Sequence, residues 1–171
     1  GGLAGDALTV GGSNVSLGYF SLTADTEGSK SVAVGTAALG DQNFTSATDA
    51  FNVAVGQEAG RSVTTGVENT LIGGLAGHAL TDADYNVAIG YTALTTDTLG
   101  SRSVAIGRAA LQAQNFTSAT NAYNVAVGFA AGETITTGVR NTIIGGLAGD
   151  TITTSNDNTL IGYQAGGSSD D

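Results

Sequence analysis

Nine times along the chain a polar residue opens a short alternation of apolar positions that closes on glycine. The order is Asn or Ser, then Val or Thr, then usually Ala, then Val, Leu or Ile, then Gly. The copies open at Asn14, Ser31, Asn52, Asn69, Asn86, Ser103, Asn124, Asn141 and Asn158 and close at Gly18, Gly35, Gly56, Gly73, Gly90, Gly107, Gly128, Gly145 and Gly162. Successive side chains on an extended chain point to opposite faces, so each copy predicts a short strand, with Val125 and Val127 on one face and Ala126 on the other. A strand that is apolar on both faces must be covered on both. One face would fill the interior of a narrow coil. The other, taken as the smaller alanine face, would pack on the same strand of a second chain. A solenoid wide enough to bury both faces is the alternative.

The copies recur every 17 or 21 residues, in the order 17, 21, 17, 17 and again. Residues 1–72 align without a gap on 73–144, and 145–171 begin a third block. Gln42-Asn43-Phe44-Thr45-Ser46-Ala47-Thr48 returns unchanged as 114–120. A period this short, repeated this often, is the mark of stacked coils, so the expected fold is all-β, one repetitive parallel β-roll or β-solenoid over 1–171 with about nine rungs. At about 4.8 Å per rung the stack would be roughly 43 Å long. The chain opens on Gly1 in mid-rung, as expected of a piece of a longer array.

After each closing glycine comes a turn and a nearly constant alanine, such as Ala38, Ala59 and Ala76, with Ser21 the exception. Thr134-Ile135-Thr136 and Thr151-Ile152-Thr153 predict a second, weaker strand, and Gly66, Gly100 and Gly138 a return corner at positive φ. The two longer rungs place four extra residues around Phe44 and Phe116, expected to bulge as loops. Asn opens seven of the nine rungs. That column is either a side-chain amide ladder or a row of turn residues at the strand edge.

Composition narrows the function. The formal charge is −10, with five basic residues against 15 acidic ones, which repels phosphate backbones and argues against nucleic-acid binding. Charged residues are only 12% of the chain, about half the usual share, as in low-charge extracellular fibres. Absence of cysteine excludes a disulfide framework, a thiol nucleophile and thiolate metal sites. No apolar run approaches the roughly 18 residues of a membrane helix.

Ser101-Arg102-Ser103-Val104-Ala105-Ile106-Gly107-Arg108-Ala109-Ala110-Leu111 resembles the head repeats of trimeric autotransporter adhesins, the YadA-like head. The segments 86–94 and 158–166 are equally similar to repeats of phage tail fibres. The resemblance covers essentially the whole chain, although these rungs are longer than the adhesin's. It implies a left-handed β-roll, three copies of which assemble side by side, in a cell-surface adhesin or virion fibre. Partners would then be further copies of itself and a surface glycan or host receptor.

Candidate chemistry is sparse. His78 is the lone histidine and stands in the column of Asp6 and Asp150, four rungs and roughly 19 Å away in each direction, so these three form no intrachain site. The pairs Asp82 and Asp84, and Asp170 and Asp171, are local and do not flank a cleft as a glycosidase requires. Segments 72–77 and 144–150 approach the glycine-rich nonapeptide of calcium β-rolls, but with one residue too many and too few acids. Adjacent threonines such as Thr64-Thr65 point apart, so a flat ice-binding array is not expected. Asn14-Val15-Ser16, Asn43-Phe44-Thr45 and Asn115-Phe116-Thr117 match the glycan acceptor pattern. Tyr19, Tyr91 and Tyr163 share one column, either stacking on a partner or covering the turn. The function expected is a non-enzymatic fibre segment, extracellular or virion-borne, with no cofactor, metal or catalytic residue. Recognition would fall to Asn43, Phe44, Thr45, Asn115, Phe116 and Thr117. The alternatives are a calcium-binding secreted β-roll and a carbohydrate-active β-solenoid enzyme.

Overall fold

The computed structural model describes residues 1–167. Nine three-residue strands form one parallel sheet: β1 (Val15–Leu17), β3 (Val32–Val34), β5 (Val53–Val55), β6 (Thr70–Ile72), β7 (Val87–Ile89), β9 (Val104–Ile106), β11 (Val125–Val127), β12 (Thr142–Ile144) and β13 (Thr159–Ile161), stacked in that order. Two shorter parallel pairs lie beside the long rungs, β2 (Gly28–Ser29) with β4 (Thr48–Asp49), and β8 (Gly100–Ser101) with β10 (Thr120–Asn121). Pairing is residue for residue throughout. Val15, Val32, Val53, Thr70 and Val87 stand in one vertical file, which Val104, Val125, Thr142 and Thr159 continue. Even the 21-residue rungs keep step, because their extra residues sit away from the sheet. The chain is a parallel β-solenoid.

The faces of the strand are the reverse of the expectation. Ala33, Ala54, Leu71, Ala88, Ala105, Ala126 and Ile143 point into the coil and are fully buried, whereas the valines and isoleucines on either side of them face out. The reason is volume. A coil of 17 residues has room inside for one long side chain per level, and two positions share it. Three of the five rungs with alanine in the strand carry leucine across the interior, at Leu39, Leu94 and Leu111. The Ala54 and Ala126 rungs carry Gly60 and Gly132 and are filled from the rung above by Leu71 and Ile143. Rungs with Leu71 or Ile143 carry glycine there instead. A methyl group added to Gly77 would lie 2.6 Å from the Leu71 side chain, and one added to Gly60, a rung below, 2.5 Å from it. Leu71 thus fills two glycine vacancies.

Turns explain the other constants. The closing glycines have φ from +129° to +150°, a region closed to side chains. All but Gly162 also abut the next rung: a methyl on Gly90 would sit 2.4 Å from the Gly107 carbonyl oxygen. Gly66 and Gly138 are glycine for proximity and not for positive φ, since a methyl there would lie 2.3 Å from the carbonyl oxygens of Ala83 and Ser155. Left-handed backbone is carried largely by other residues, including Lys30, Phe51, Tyr85, Arg102 and Tyr123, all immediately before a rung-opening Asn or Ser. The segments 134–136 and 151–153 are not strands; they bond rung to rung only at intervals, as in Thr136 N–H to Thr153 C=O at 2.8 Å.

The asparagine column is a ladder, built mainly between side chain and backbone. Asn69 Nδ2 donates to Ala83 C=O at 2.8 Å, closing its own coil, and Asn69 Oδ1 accepts the Asn86 N–H at 3.0 Å, fixing the next. Asn52, Asn86, Asn124 and Asn141 repeat the clamp. Direct amide-to-amide bonds supplement it, as between Asn158 Nδ2 and Asn141 Oδ1 at 2.9 Å. In the long rungs serine opens the coil and a buried glutamine substitutes: Gln114 donates to Asp97 at 2.6 Å and to Ser103 at 3.1 Å, and accepts from Asn124 at 2.8 Å. The buried Asp97 carboxylate also accepts the N–H groups of Gly100 and Phe116. Asp25, Gln42 and Asn52 repeat the arrangement in the first block.

Candidate functional site

Because the small residues fill the coil, the sheet presents its larger ones to the outside. Two files of β-branched and aliphatic side chains run the length of the stack, one from Val15 to Thr159 and one from Leu17 to Ile161, and β1, β6, β12 and β13 leave them most open. Outward-pointing residues flank the files on both sides. One flank is the column before each Asn or Ser, the other the column after each closing glycine. Every exposed large hydrophobic residue except Leu3 and Val10 belongs to these four columns. Apart from those two, the exposed large apolar side chains of the described residues gather on one face.

Over parts of their length the flanking columns set basic groups next to aromatic ones. Arg102 lies between Tyr85 and Tyr123, with its guanidinium carbon 4.7 and 5.9 Å from the two ring centres. Lys30 lies 5.0 Å from the Phe51 ring centre and forms an ion pair with Asp49 at 2.7 Å. Arg108 stands 5.4 Å from the Phe129 ring centre on the opposite flank. Further up, Arg140 makes a forked pair with Asp157 at 2.6 and 2.8 Å. That hydrogen bond holds the Asp157 carboxyl below its ordinary range and raises Arg140. Stacking at a single rung spacing sets cation over ring, and the left-handed backbone of this column turns the side chains outward. The sequence carried the signal in the residue before the rung-opening Asn or Ser, which is basic or aromatic in six of nine rungs (Lys30, Phe51, Tyr85, Arg102, Tyr123 and Arg140) and Ser13, Glu68 or Asp157 in the others. It shows only once these residues are known to stack.

The loop residues fall on two sides of the surface. Phe44 and Phe116 are turned inward and only 6% exposed, packing under the extra residues of the long rungs, so their rings do not face a partner. Asn43, Thr45 and Thr117 are exposed and Asn115 half-exposed. Asn43 Oδ1 accepts from Thr26 Oγ1 at 3.3 Å, and Asn115 Oδ1 from Thr98 at 3.2 Å. Thr64 belongs to the same column and donates to Thr81 C=O, so these hydroxyls are committed to the ladder. The rings of Tyr91 and Tyr163 lie against Gly74 and Gly146 of the preceding rung, with one face to solvent.

His78 is partly exposed, with its Nε2 3.3 Å from Glu58, which also stands 3.7 Å from Arg61. Asp82 accepts from Thr65 at 2.6 Å and Asp84 from the Val67 N–H at 2.8 Å, so both carboxylates brace the rung beneath them. Asp170 and Asp171 lie outside the described residues. Among the described residues no three His, Cys, Asp or Glu side chains converge as metal ligands. No helix there is long and apolar enough to cross a membrane.

Comparison with known proteins returned no match among family models, curated proteins or solved structures.

Proposed function

We propose that the chain is a non-enzymatic fibre segment, a shaft or adhesive head working outside the cell, on its surface or on a virion, and that it assembles as a homotrimer. The outward sheet face carries this reading. Its strand files and flanking columns span about 40 Å by 20 Å, roughly 800 Å² per chain, close to the ~800 Å² each partner contributes to a standard interface. Aromatic and arginine side chains at its margins are of the kind enriched in interface hot spots. A second copy offers the same face with matching 4.8 Å spacing, which no unrelated surface does as simply. Threefold packing follows the similarity to adhesin head repeats. Attachment to a surface glycan or host receptor then belongs to the turns on the far side of each coil.

Sedimentation equilibrium tests the assembly. The chain should sediment at three times its own mass, and replacing Val104 and Ile106 together by lysine should reduce it to one chain with the β spectrum kept. A wild-type mass of one chain would overturn the reading.

A further inference from the structure

At the turn after the closing glycines, beside the Tyr19 flank of the sheet face, the surface is notched between the first and third rungs. Phe20, Thr23, Ala37, Gly40, Asp41 and Arg61 enclose a recess of about 250 Å³. Its origin is local. Ala37 and Gly40 occupy columns that bear Phe20 and Thr23 one rung below and Glu58 and Arg61 one rung above. Two small residues at one level therefore leave a step missing, floored by a phenyl ring and overhung by a guanidinium.

Gly40 is not there for its backbone. Its φ lies outside the left-handed region, unlike Leu22, Leu39 and the closing glycines. A methyl group there would come 3.2 Å from the Ala37 carbonyl oxygen, a contact relieved by a shift of a few tenths of an ångström. The sister block has Gln112 at this place, between Thr95 and Glu133, with Thr92 where Phe20 stands. The two blocks differ at 25 of 72 positions, and here at four of the six residues that shape the recess. Thr92, Gln112, Ala113 and Glu133 stand where this block has Phe20, Gly40, Asp41 and Arg61, while Thr95 and Ala109 repeat Thr23 and Ala37.

We propose that this notch is a binding subsite for one neutral pyranose unit of a glycan. The volume suits a single sugar ring. Phe20, tilted against Tyr19 with ring centres 4.0 Å apart, gives a fixed aromatic wall for the C–H face of the ring. Arg61, Asp41 and Thr23 supply donors and acceptors for hydroxyls at the rim. Arg61 is shared with Glu58, and Asp41 flanks the opening, so the local charge disfavours an acidic sugar. The inference deepens the attachment role above and rests on it for its biological meaning. It assigns the role to the Phe20 notch and not to the long-rung loops.

The test uses the full chain and the methyl glycosides of glucose, galactose, mannose and N-acetylglucosamine, read by saturation-transfer NMR and calorimetry. At least one should bind with a dissociation constant on the order of a millimolar, as a lone shallow subsite gives. Gly40→Gln, which copies Gln112, should weaken binding at least tenfold at unchanged melting temperature. Should that variant misfold, Phe20→Ala serves the same purpose and Gln112→Ala is the silent control. Binding that survives both Gly40→Gln and Phe20→Ala, or no binding of any of the four glycosides, overturns the proposal. Sedimentation mass reports on the fibre reading independently, so either can fail without the other.

Discussion

Removing the side-chain amide of Asn69 should cost far more than its single residue suggests. Asn69→Ala deletes the donor to Ala83 C=O at 2.8 Å and the acceptor for the Asn86 N–H at 3.0 Å. Both backbone groups lie beside a fully buried Asn69, and neither has another hydrogen-bond partner in the stack. A buried polar group left unmet costs about 1–3 kcal/mol, so two cost roughly 2–6 kcal/mol. Asn158→Ala supplies the control. Its amide donates to Asn141 Oδ1 at 2.9 Å and to an exposed Asn156 carbonyl at 3.1 Å. Asn141 Oδ1 keeps the Asn158 N–H, and no described rung follows to be held, so about 1 kcal/mol is expected. Urea denaturation should separate the two variants by a clear shift in midpoint at unchanged slope. Native-state hydrogen exchange adds a local readout: in Asn69→Ala the Asn86 amide should lose protection before those of β11 and β12, because each coil is stabilised through its neighbours. If the two variants melt together, the clamp is not what fastens coil to coil.

Three further outcomes follow from the same geometry. Leu71→Ala should cost about 3 kcal/mol by emptying the space over Gly60 and Gly77, and Leu71→Ala with Gly77→Leu, which copies the Ala88 and Leu94 pair, should recover part of it in a double-mutant melting cycle. Gly90→Ala should abolish folding or cost more than about 4 kcal/mol, because it adds a carbonyl clash to a forbidden φ; Gly162→Ala meets nothing closer than 4.0 Å among the described residues and should cost only the dihedral strain, about 1–3 kcal/mol by thermal melting. Asp157 has its carboxyl lowered in the folded state, so any support from Arg140 is present at neutral pH and is lost as pH falls through that lowered value. With both groups fully exposed the support is small, and Asp157→Asn should leave the neutral-pH melting temperature nearly unchanged.

The sequence by itself determined the architecture. A recurrence every 17 or 21 residues of similar short apolar strands, each shut by glycine, leaves stacking in register as the way to bury so many of them, and Val32, Val53 and Thr70 do stand in file. The asparagine column was equally legible as a candidate ladder. Direction was not. Alternation says that Val125 and Ala126 face opposite ways, but which way is inward depends on the cross-section of the coil, and only closure of the ring decided that alanine goes in. The same closure turned Phe44 and Phe116 beneath the long rungs, made Gly66 and Gly138 glycine for proximity, and stacked Arg102 between Tyr85 and Tyr123. The notch at Gly40 needed it as well, since a missing side chain becomes a recess only when the rungs above and below are in place. Periodicity fixes what lies above what along the axis; the interior volume fixes which side of each strand meets water, and that is a property of the folded coil alone.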